Sequence, residues 1–394
     1  MYKTIVFILW CWTLSGLAYA QTPTIESVLT QVEQNNKSLK AFDDYLNSQK
    51  LALRSGNNLA DTQFGAFYLP IAGHTDANYT EFQLSQTIEF PTVYGTRGNL
   101  IDEKVAKLEL AYKSKRQEVL AQAKEFCQHL TYLQKQIAIE ETRLEQAEKV
   151  FEQVKELFAK EQVGIMEMNK AKVAWLQDQF KIQELENELN TVALQLKSLN
   201  GDEPIAFASD TYENSLTVSA RDSIWQEKLR LDPALLKLEQ DQRIAQQTLK
   251  LAKNKALPNI TAGFNSQGIP GERFSGLYAG ISIPLWSNRN KVKAAASKIQ
   301  YQESFKNAET FQRYADFEKQ YNQYQLMKEK YDAYESTLNS LNSDELLFKA
   351  YKSGELSFLD YFMELQFYRK AYDEMLRMQY ELHISQTQLL KHQL

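Results

Sequence analysis

The chain has 394 residues, a formal net charge of −5 and a mean hydropathy of −0.48. A charge balance this mild supplies no basic face for nucleic acid, and no run after Ala20 reaches the roughly 18 apolar positions that a membrane-crossing helix needs. Length alone suggests two or three globular domains, yet glycine and proline cluster in a few stretches and leave the rest of the chain unpunctuated.

Lys3, the apolar run Ile5–Leu9 with Trp10 and Trp12, and the small-x-small site Ala18-Tyr19-Ala20 read as a signal peptide over residues 1–20. The mature chain then begins at Gln21. Cys11 lies inside the removed peptide and does not follow the cleavage site, so no lipoprotein anchor is expected. Cys127 remains alone, forms no internal disulfide, and is expected to be a small buried residue on a helix.

Thr24 is a plausible N-cap for a first helix through Ile25, Val28 and Val32 to Leu53, stopped by Ser55-Gly56-Asn57-Asn58. Phe64, Ala66 and Tyr68 then alternate with Gln63, Gly65 and Phe67 as in a strand. Pro70–Asp76, with Gly73 and His74, reads as an external loop. From Tyr79 to Phe90 the alternation returns through Phe82, Leu84, Gln86 and Ile88. The pattern stops at Pro91 and passes Gly95-Thr96-Arg97-Gly98. Asn99–Val163 then predicts a helix of more than sixty residues, about 95 Å long. Near its end Leu144, Ala147, Phe151, Val154 and Phe158 recur like a coiled-coil seam. Gly164 turns the chain, and a return helix from Met166 to Leu199 ends at Asn200-Gly201-Asp202-Glu203-Pro204.

Residues 205–394 repeat the programme of residues 21–204. Ser223–Asn254 reads as a helix with Asp232-Pro233 near its start, and Ile260, Ala262 and Phe264 alternate as a strand. A loop at Gln267-Gly268-Ile269-Pro270-Gly271-Glu272 leads to a strand carrying Leu277, Ala279, Ile281, Ile283 and Leu285. Pro284-Leu285-Trp286 and Asn288-Arg289-Asn290 close it. A long helical run with Tyr331, Tyr334, Leu338, Leu341 and Phe348 reaches Gly354, and a last helix runs from Phe358 to Leu390. Matching Leu157-Phe158 and Gly164 to Leu347-Phe348 and Gly354 gives a repeat of about 190 residues; Phe90-Pro91 and Ile283-Pro284 match at about three more.

The fold class expected is mainly α with a small β part, strands lying at about 60–92 and 256–287. Each half supplies two strands, so one chain supplies four, whereas the smallest membrane barrels close with about eight. A four-stranded sheet in lipid would leave edges unpaired at several kcal/mol per group. Copies of the chain must therefore share a barrel, and closed symmetry would pack their long helices into a second tube. The aromatic content of 12% suits girdles at the lipid interfaces, with Phe67, Tyr68, Tyr79, Phe82, Phe90, Tyr94, Phe264, Phe274, Tyr278 and Trp286 as candidates.

Leu84-Ser85-Gln86-Thr87-Ile88-Glu89-Phe90-Pro91 with Arg97, Leu257-Pro258-Asn259-Ile260, Gly280-Ile281-Ser282-Ile283-Pro284-Leu285 with Arg289, and Lys352-Ser353-Gly354-Glu355-Leu356-Ser357-Phe358-Leu359-Asp360 together resemble the TolC family of outer-membrane efflux proteins, closest to its short cation-efflux branch. The resemblance implies a homotrimer: a twelve-stranded barrel in outer-membrane lipid and a helical barrel across the periplasm. Its partners would be a periplasmic adaptor (membrane fusion protein) and an inner-membrane pump of the RND or a similar type. Val163-Gly164-Ile165 and Ser353-Gly354-Glu355 would then be hairpin tips at the adaptor-docking end. Asp360 falls at a position where the family often carries an aperture carboxylate; the second such position holds Met363, with Glu364 one residue later.

Other chemistry finds little footing. Met166-Glu167-Met168 offers thioethers to a soft metal, but a hairpin-tip contact explains it equally. His74, His129, His383 and His392 show no ligand spacing and read as surface residues. Neither a P-loop nor a G-x-S-x-G motif is present, so no catalysis and no cofactor are expected. The competing readings are a periplasmic coiled-coil scaffold or adaptor, a type I secretion exit duct and, far behind, a secreted enzyme.

Overall fold

The computed structural model describes residues 24–70, 78–213, 215–341 and 343–394. The signal peptide, the loop at 71–77 and His74 lie outside these residues. Among the described residues no helix is long and apolar enough to cross a membrane. In chain order the elements are α1 (Ile25–Asn35), α2 (Lys37–Ser55), β1 (Gln63–Leu69), β2 (Tyr79–Ile88), α3 (Pro91–Ala159), α4 (Ile165–Leu199), α5 (Arg221–Leu231), α6 (Pro233–Asn254), β3 (Asn259–Ile269), β4 (Glu272–Ser282), α7 (Lys291–Leu341), α8 (Ser343–Lys352) and α9 (Phe358–Leu389). The chain divides into two compact units, and each draws on both halves of the sequence.

One unit holds the four strands with α2, α5, α6, the first part of α3 and most of α7. The strands form one antiparallel sheet in the order β1-β2-β3-β4. The two hairpins lie side by side because β2 pairs with β3 from Thr80↔Gly268 to Ile88↔Ile260. The β3–β4 connection is only Pro270-Gly271, with Gly271 at φ 90, so the strands run three residues further into the expected loop than their alternation suggested. At the other end β4 stops at Ser282, before Ile283 and Leu285. Below the sheet, Ile224, Trp225, Leu235, Leu238, Phe317 and Leu389 form an apolar cluster.

Two expected helices are each split. Asn36 breaks the first, at φ −58 and ψ 118, and Asp232 breaks the other. Pro233 disfavours helical backbone at the residue before it. Asp232 then caps the next helix, its carboxylate accepting from the Ala234 amide at 2.8 Å. The opposite correction applies to Gly95-Thr96-Arg97-Gly98, which is helical and not a loop. Proline needs no amide partner at a first helical position, so α3 starts at Pro91 and runs 69 residues, about 100 Å. Each glycine costs such a helix about 1 kcal/mol. Contacts around this turn offset that cost: Arg97 pairs with Glu89, the Tyr94 hydroxyl accepts from the Glu89 amide, and Asn254 donates to Thr96 Oγ1 and the Thr92 carbonyl.

The second unit holds α1, the later part of α3, α4, α8 and most of α9. Thr24 caps α1 as expected, accepting from the Ser27 amide. The irregular stretch that links the sequence halves is tied down on this unit. Its Ser209 amide donates to Gln134, Glu213 accepts from the Ile25 amide, and the Ser215 carbonyl accepts from Gln386. Cys127 is fully buried, and burial pushes its thiol up to about 12. The histidines depart from expectation, because aromatic neighbours take them in. His129 stacks near Tyr132 and Tyr380, while His383 and His392 are buried.

His383 is 2% exposed and lies 3.9 Å from the Tyr212 ring, with Lys135 Nζ 4.8 Å from the same ring. Burial, then Lys135 and Lys124, pull its pKa from 6.5 to about 4. The unfolded chain takes up this proton near pH 6.5 and the folded chain only near 4, so unfolding within that window consumes a proton. Stability is therefore held above the window and declines as pH falls through it, by on the order of 2–3 kcal/mol. His383→Phe keeps a stacking ring and removes the titration. Its thermal midpoint should lose ground to the wild type's least at about pH 4.5 and most at about pH 7; parallel curves for the two proteins would refute the assignment.

Candidate functional site

Two regions bring together the residues that the sequence singles out, one in each unit. The first is the sheet. Directly paired residues of an antiparallel sheet share a face, so the registers sort its side chains without ambiguity. One face carries Phe64, Phe82, Leu84, Ile88, Ile260, Phe264, Leu277 and Ile281. Most of these are exposed, Leu277 at 88%. The other is mainly polar, carrying Glu81, Gln83, Ser85, Thr87, Thr261, Asn265 and Gln267, with Phe67, Leu69 and Phe274 among them towards the β1–β2 and β3–β4 turns. Its polar groups satisfy one another across strands: Asn265 donates to Glu81 at 2.8 Å, Tyr79 to Gln267 at 3.0 Å, Thr87 and Thr261 bond at 2.9 Å, and Gln83 donates to the Tyr278 hydroxyl.

Gly263 lets the Tyr278 ring lie flat on this polar face. A Cβ there would sit 2.4 Å from the ring and 2.6 Å from the Leu84 carbonyl oxygen. The edges of the sheet, β1 and β4, pair with no further strand among the described residues. A thin sheet with one apolar and one polar face, open on both sides, has the chemistry of a piece of wall between lipid and water.

The second region is the pair of hairpin tips. At the first, Gln162 N donates to the Leu157 carbonyl and Glu161 N to the Phe158 carbonyl; at the second, Glu355 N and Gly354 N donate to Ala350 and Tyr351. These are the paired bonds of a Schellman ending. Its left-handed residue is Glu161 (φ 61) in one tip and Gly354 (φ 79) in the other. Gly164 is therefore not the reversal residue. It stands three places later as the N-cap of α4, at φ −81.

Matching the endings and not the glycines puts the two halves in one register of 193 positions (354 minus 161). It relates Pro284 to Pro91, Phe358 to Ile165, and Asp360 to Glu167. Glu167 Oε2 accepts from the Gly164 amide at 2.6 Å. Ser357 Oγ donates to Asp360 Oδ2 at 2.6 Å and lies 3.2 Å from the Asp360 amide as its acceptor. Both acids thus occupy the third helical position of a return helix, where a carboxylate completes a capping box and meets the positive end of the helix dipole. Val163 and Leu356, each just before its cap, pack with Met168 and Tyr361 into one apolar cluster around Val150, Val154, Ala171 and Leu365.

That cluster joins the two hairpins, and beside it two buried arginines tie α9 to α3 and α4. Arg369 lies 3.0 Å from Asp178, and Arg143 lies 2.6 Å from Glu140 and 2.8 Å from Asp373. Sequence reading missed these arginines, since a charged residue in a long helix looks like any solvated one. It also missed Val150, and it placed Phe158 in a seam although that side chain is exposed. Ile165, Ser353, Gly354, Glu355, Asp360 and Glu364 are exposed and Val163 half-buried. Met168 turns into the cluster and Glu167 serves its cap, while Met166 is exposed. Among the described residues no three His, Cys, Asp or Glu side chains converge on a metal site.

The tip geometry generates a matched pair of substitutions. Left-handed backbone costs a residue with a Cβ about 1 kcal/mol, so Gly354→Ala should lower stability by about that amount while Glu161→Gly raises it by about 0.5–1 kcal/mol. Thermal unfolding of the two purified variants measures both; equal and same-signed shifts would contradict the assigned turn.

No protein-family model and no curated protein sequence matches the chain. Solved structures do. The outer-membrane channel OprN is 12% identical with a TM-score of 0.76, the match covering 94% of this chain and 89% of OprN. CusC, described in terms of transmembrane channel formation, is 14% identical with a TM-score of 0.75, over 93% of this chain and 91% of CusC. The open-state outer-membrane channel MtrE of Neisseria gonorrhoeae is 12% identical with a TM-score of 0.73, over 94% and 88%. The chain therefore has the TolC-like fold of these outer-membrane channels.

Proposed function

We propose that the protein is the outer-membrane exit duct of an efflux system. Three copies would combine their four-stranded sheets into a twelve-stranded barrel and their long helices into a tunnel across the periplasm, with residues 1–20 removed as the export signal. The observation that carries this reading is the sheet itself. Its apolar face is exposed, its polar face is internally bonded, and both of its edges are open. A soluble scaffold or adaptor would have covered that apolar face, because burying each such side chain is worth about 1.5–3 kcal/mol. The duct has no energy source of its own, and its fold is that of channels, not enzymes.

In this reading Val163, Gly164, Ile165, Ser353, Gly354 and Glu355 meet a periplasmic adaptor that links the duct to an inner-membrane pump of the RND or a similar type. Asp360 and Glu364 line the periplasmic aperture. Carboxylates gathered there by symmetry raise the local concentration of cations, which favours metal cations or small toxic compounds as cargo. Opening the aperture would splay the tips and break the Arg369–Asp178 and Arg143–Asp373 ties.

Fractionation decides the main claim. The protein should sediment with outer membranes and run in mild detergent as a trimer that heat dissociates; a soluble monomer would return the reading to a scaffold. The aperture is tested in planar bilayers. Asp360→Asn with Glu364→Gln should lower cation-over-anion selectivity by about threefold, whereas Glu167→Gln, the equivalent cap of the other tip, should leave it unchanged. Unaltered selectivity in the double variant would remove Asp360 and Glu364 from the aperture.

A further inference from the structure

The charges that flank the two hairpins are unlike. From Gln242 to Gln302 the chain holds nine basic residues and one acid, Glu272, which sits at the outer turn of the β3–β4 hairpin. The corresponding stretch around β1 and β2, Lys50–Ile101, holds three basic residues and four acids. In a protein of net charge −5 this is a local reversal of sign.

The basic residues gather where the hairpin meets its helices. Lys250, Lys253 and Lys255 lie along the last turns of α6 and just beyond it, and Arg289, Lys291 and Lys293 at the start of α7. All six are exposed. Lys255 is 3.9 Å from Glu89, whose carboxylate already serves Arg97. Among the described residues the other five make no ion pair, and of them only Lys253, in the last turn of α6, is placed to favour its own helix dipole. Lys291 and Lys293 even sit at the wrong end of their helix, whose first turn holds no acid. Cations there oppose the helix dipole, and both the dipole and the lysines favour an anion.

The same junction is greasy. Leu285 and Trp286 are 69% and 80% exposed and follow closely on Ile281, the last residue of β4 on the apolar face. Beside them a cleft of about 290 Å³ is lined by Lys255, Ser282, Ile283, Trp286 and Asn288, and by Glu89, whose carboxylate is taken up by Arg97 and Lys255. An exposed tryptophan next to unpaired lysines, at the end of a lipid-facing surface, is the composition of a membrane–water interface.

We propose that this junction is a binding site for the headgroup of an acidic glycerophospholipid. The phosphodiester would lie among Lys253, Lys255, Lys291 and Lys293, while Trp286 and Leu285 enter the acyl boundary. The inference rests on the sheet being membrane-inserted, as proposed above, and adds to it a lipid preference set by one hairpin and not the other.

The test uses the full-length protein purified in neutral detergent, titrated with short-chain phosphatidylglycerol, phosphatidylcholine or glycerol phosphate, and read by tryptophan fluorescence and thermal shift. Phosphatidylglycerol should bind about tenfold more tightly than phosphatidylcholine, and about 0.5 M salt should abolish the difference. Replacing Lys253, Arg289, Lys291 and Lys293 with glutamine should erase the preference while leaving outer-membrane fractionation and oligomer size intact. Equal affinity for the two lipids, a preference that survives in the variant, or glycerol phosphate binding as tightly as the lipid would each overturn the proposal. The salt arm needs no variant, so misfolding of the substituted protein cannot mask the answer. A protein that fails to enter membranes at all would instead sink the duct reading.

Discussion

Unpaired backbone groups govern this architecture. Among the described residues β1 and β4 each present a row of amides and carbonyls with no neighbouring strand, and the sheet they bound exposes its apolar face. In water the apolar face is the liability. In lipid it is satisfied, but every open backbone group then costs several kcal/mol. No placement of one isolated copy answers both demands. Pairing edges with further copies answers both at once, and the internally bonded polar face then encloses water.

The edges also dictate how copies would join. β1 has seven residues and β4 eleven, and the hairpins close differently, one through the chain from Pro70 to Asn78 and one through Pro270-Gly271. Strands alternate in direction across the sheet, so β1 and β4 run antiparallel to one another. The β4 edge of one copy can thus continue onto the β1 edge of the next with the alternation unbroken. Such a contact joins unlike surfaces, and repeated contacts of that kind close into a ring. An isologous pair would instead set β1 on β1 and leave two β4 edges exposed.

How far the sequence was legible follows from the range of the forces involved. The strands were readable because side chains of a strand fall alternately on two faces, and one face of this sheet is mainly apolar and the other mainly polar. Pro91 and Pro233 mark real helix starts, since proline acts through its own ring. Gly164 misled for the converse reason. Glycine marks where left-handed backbone is easy, not where it occurs, and the chain places Glu161 there when Gln162 and Leu157 close the turn. The long helices were the least readable inside. α3 buries Ala121, Ala123, Cys127 and Leu130 along one stretch and Val150 and Val154 further on, so no single stripe runs its length. Arg143, Arg369 and His383 became visible only when segments distant in sequence supplied Asp373, Asp178 and Tyr212.

At the tips, two kinds of interaction divide the work. The turns themselves rest on local bonds: a Schellman ending, a capping carboxylate at Glu167 or Asp360, and an apolar residue on either side of the cap. The Schellman bonds and the capping carboxylates do not depend on how one hairpin lies against the other, whereas Val163 and Leu356 pack into the apolar cluster that joins them. Beside that cluster two buried arginines also tie the helices, Arg369 to Asp178 and Arg143 to the half-exposed Asp373. A buried ion pair contributes little net stability over apolar packing, yet breaking it costs several kcal/mol if the charges stay buried, and much less if they reach water. A splaying motion that hydrates the arginines as it separates the helices therefore meets a modest barrier while each tip keeps its own structure. The apolar cluster beside those pairs lacks that property, because its separation exposes more hydrophobic surface the further it goes.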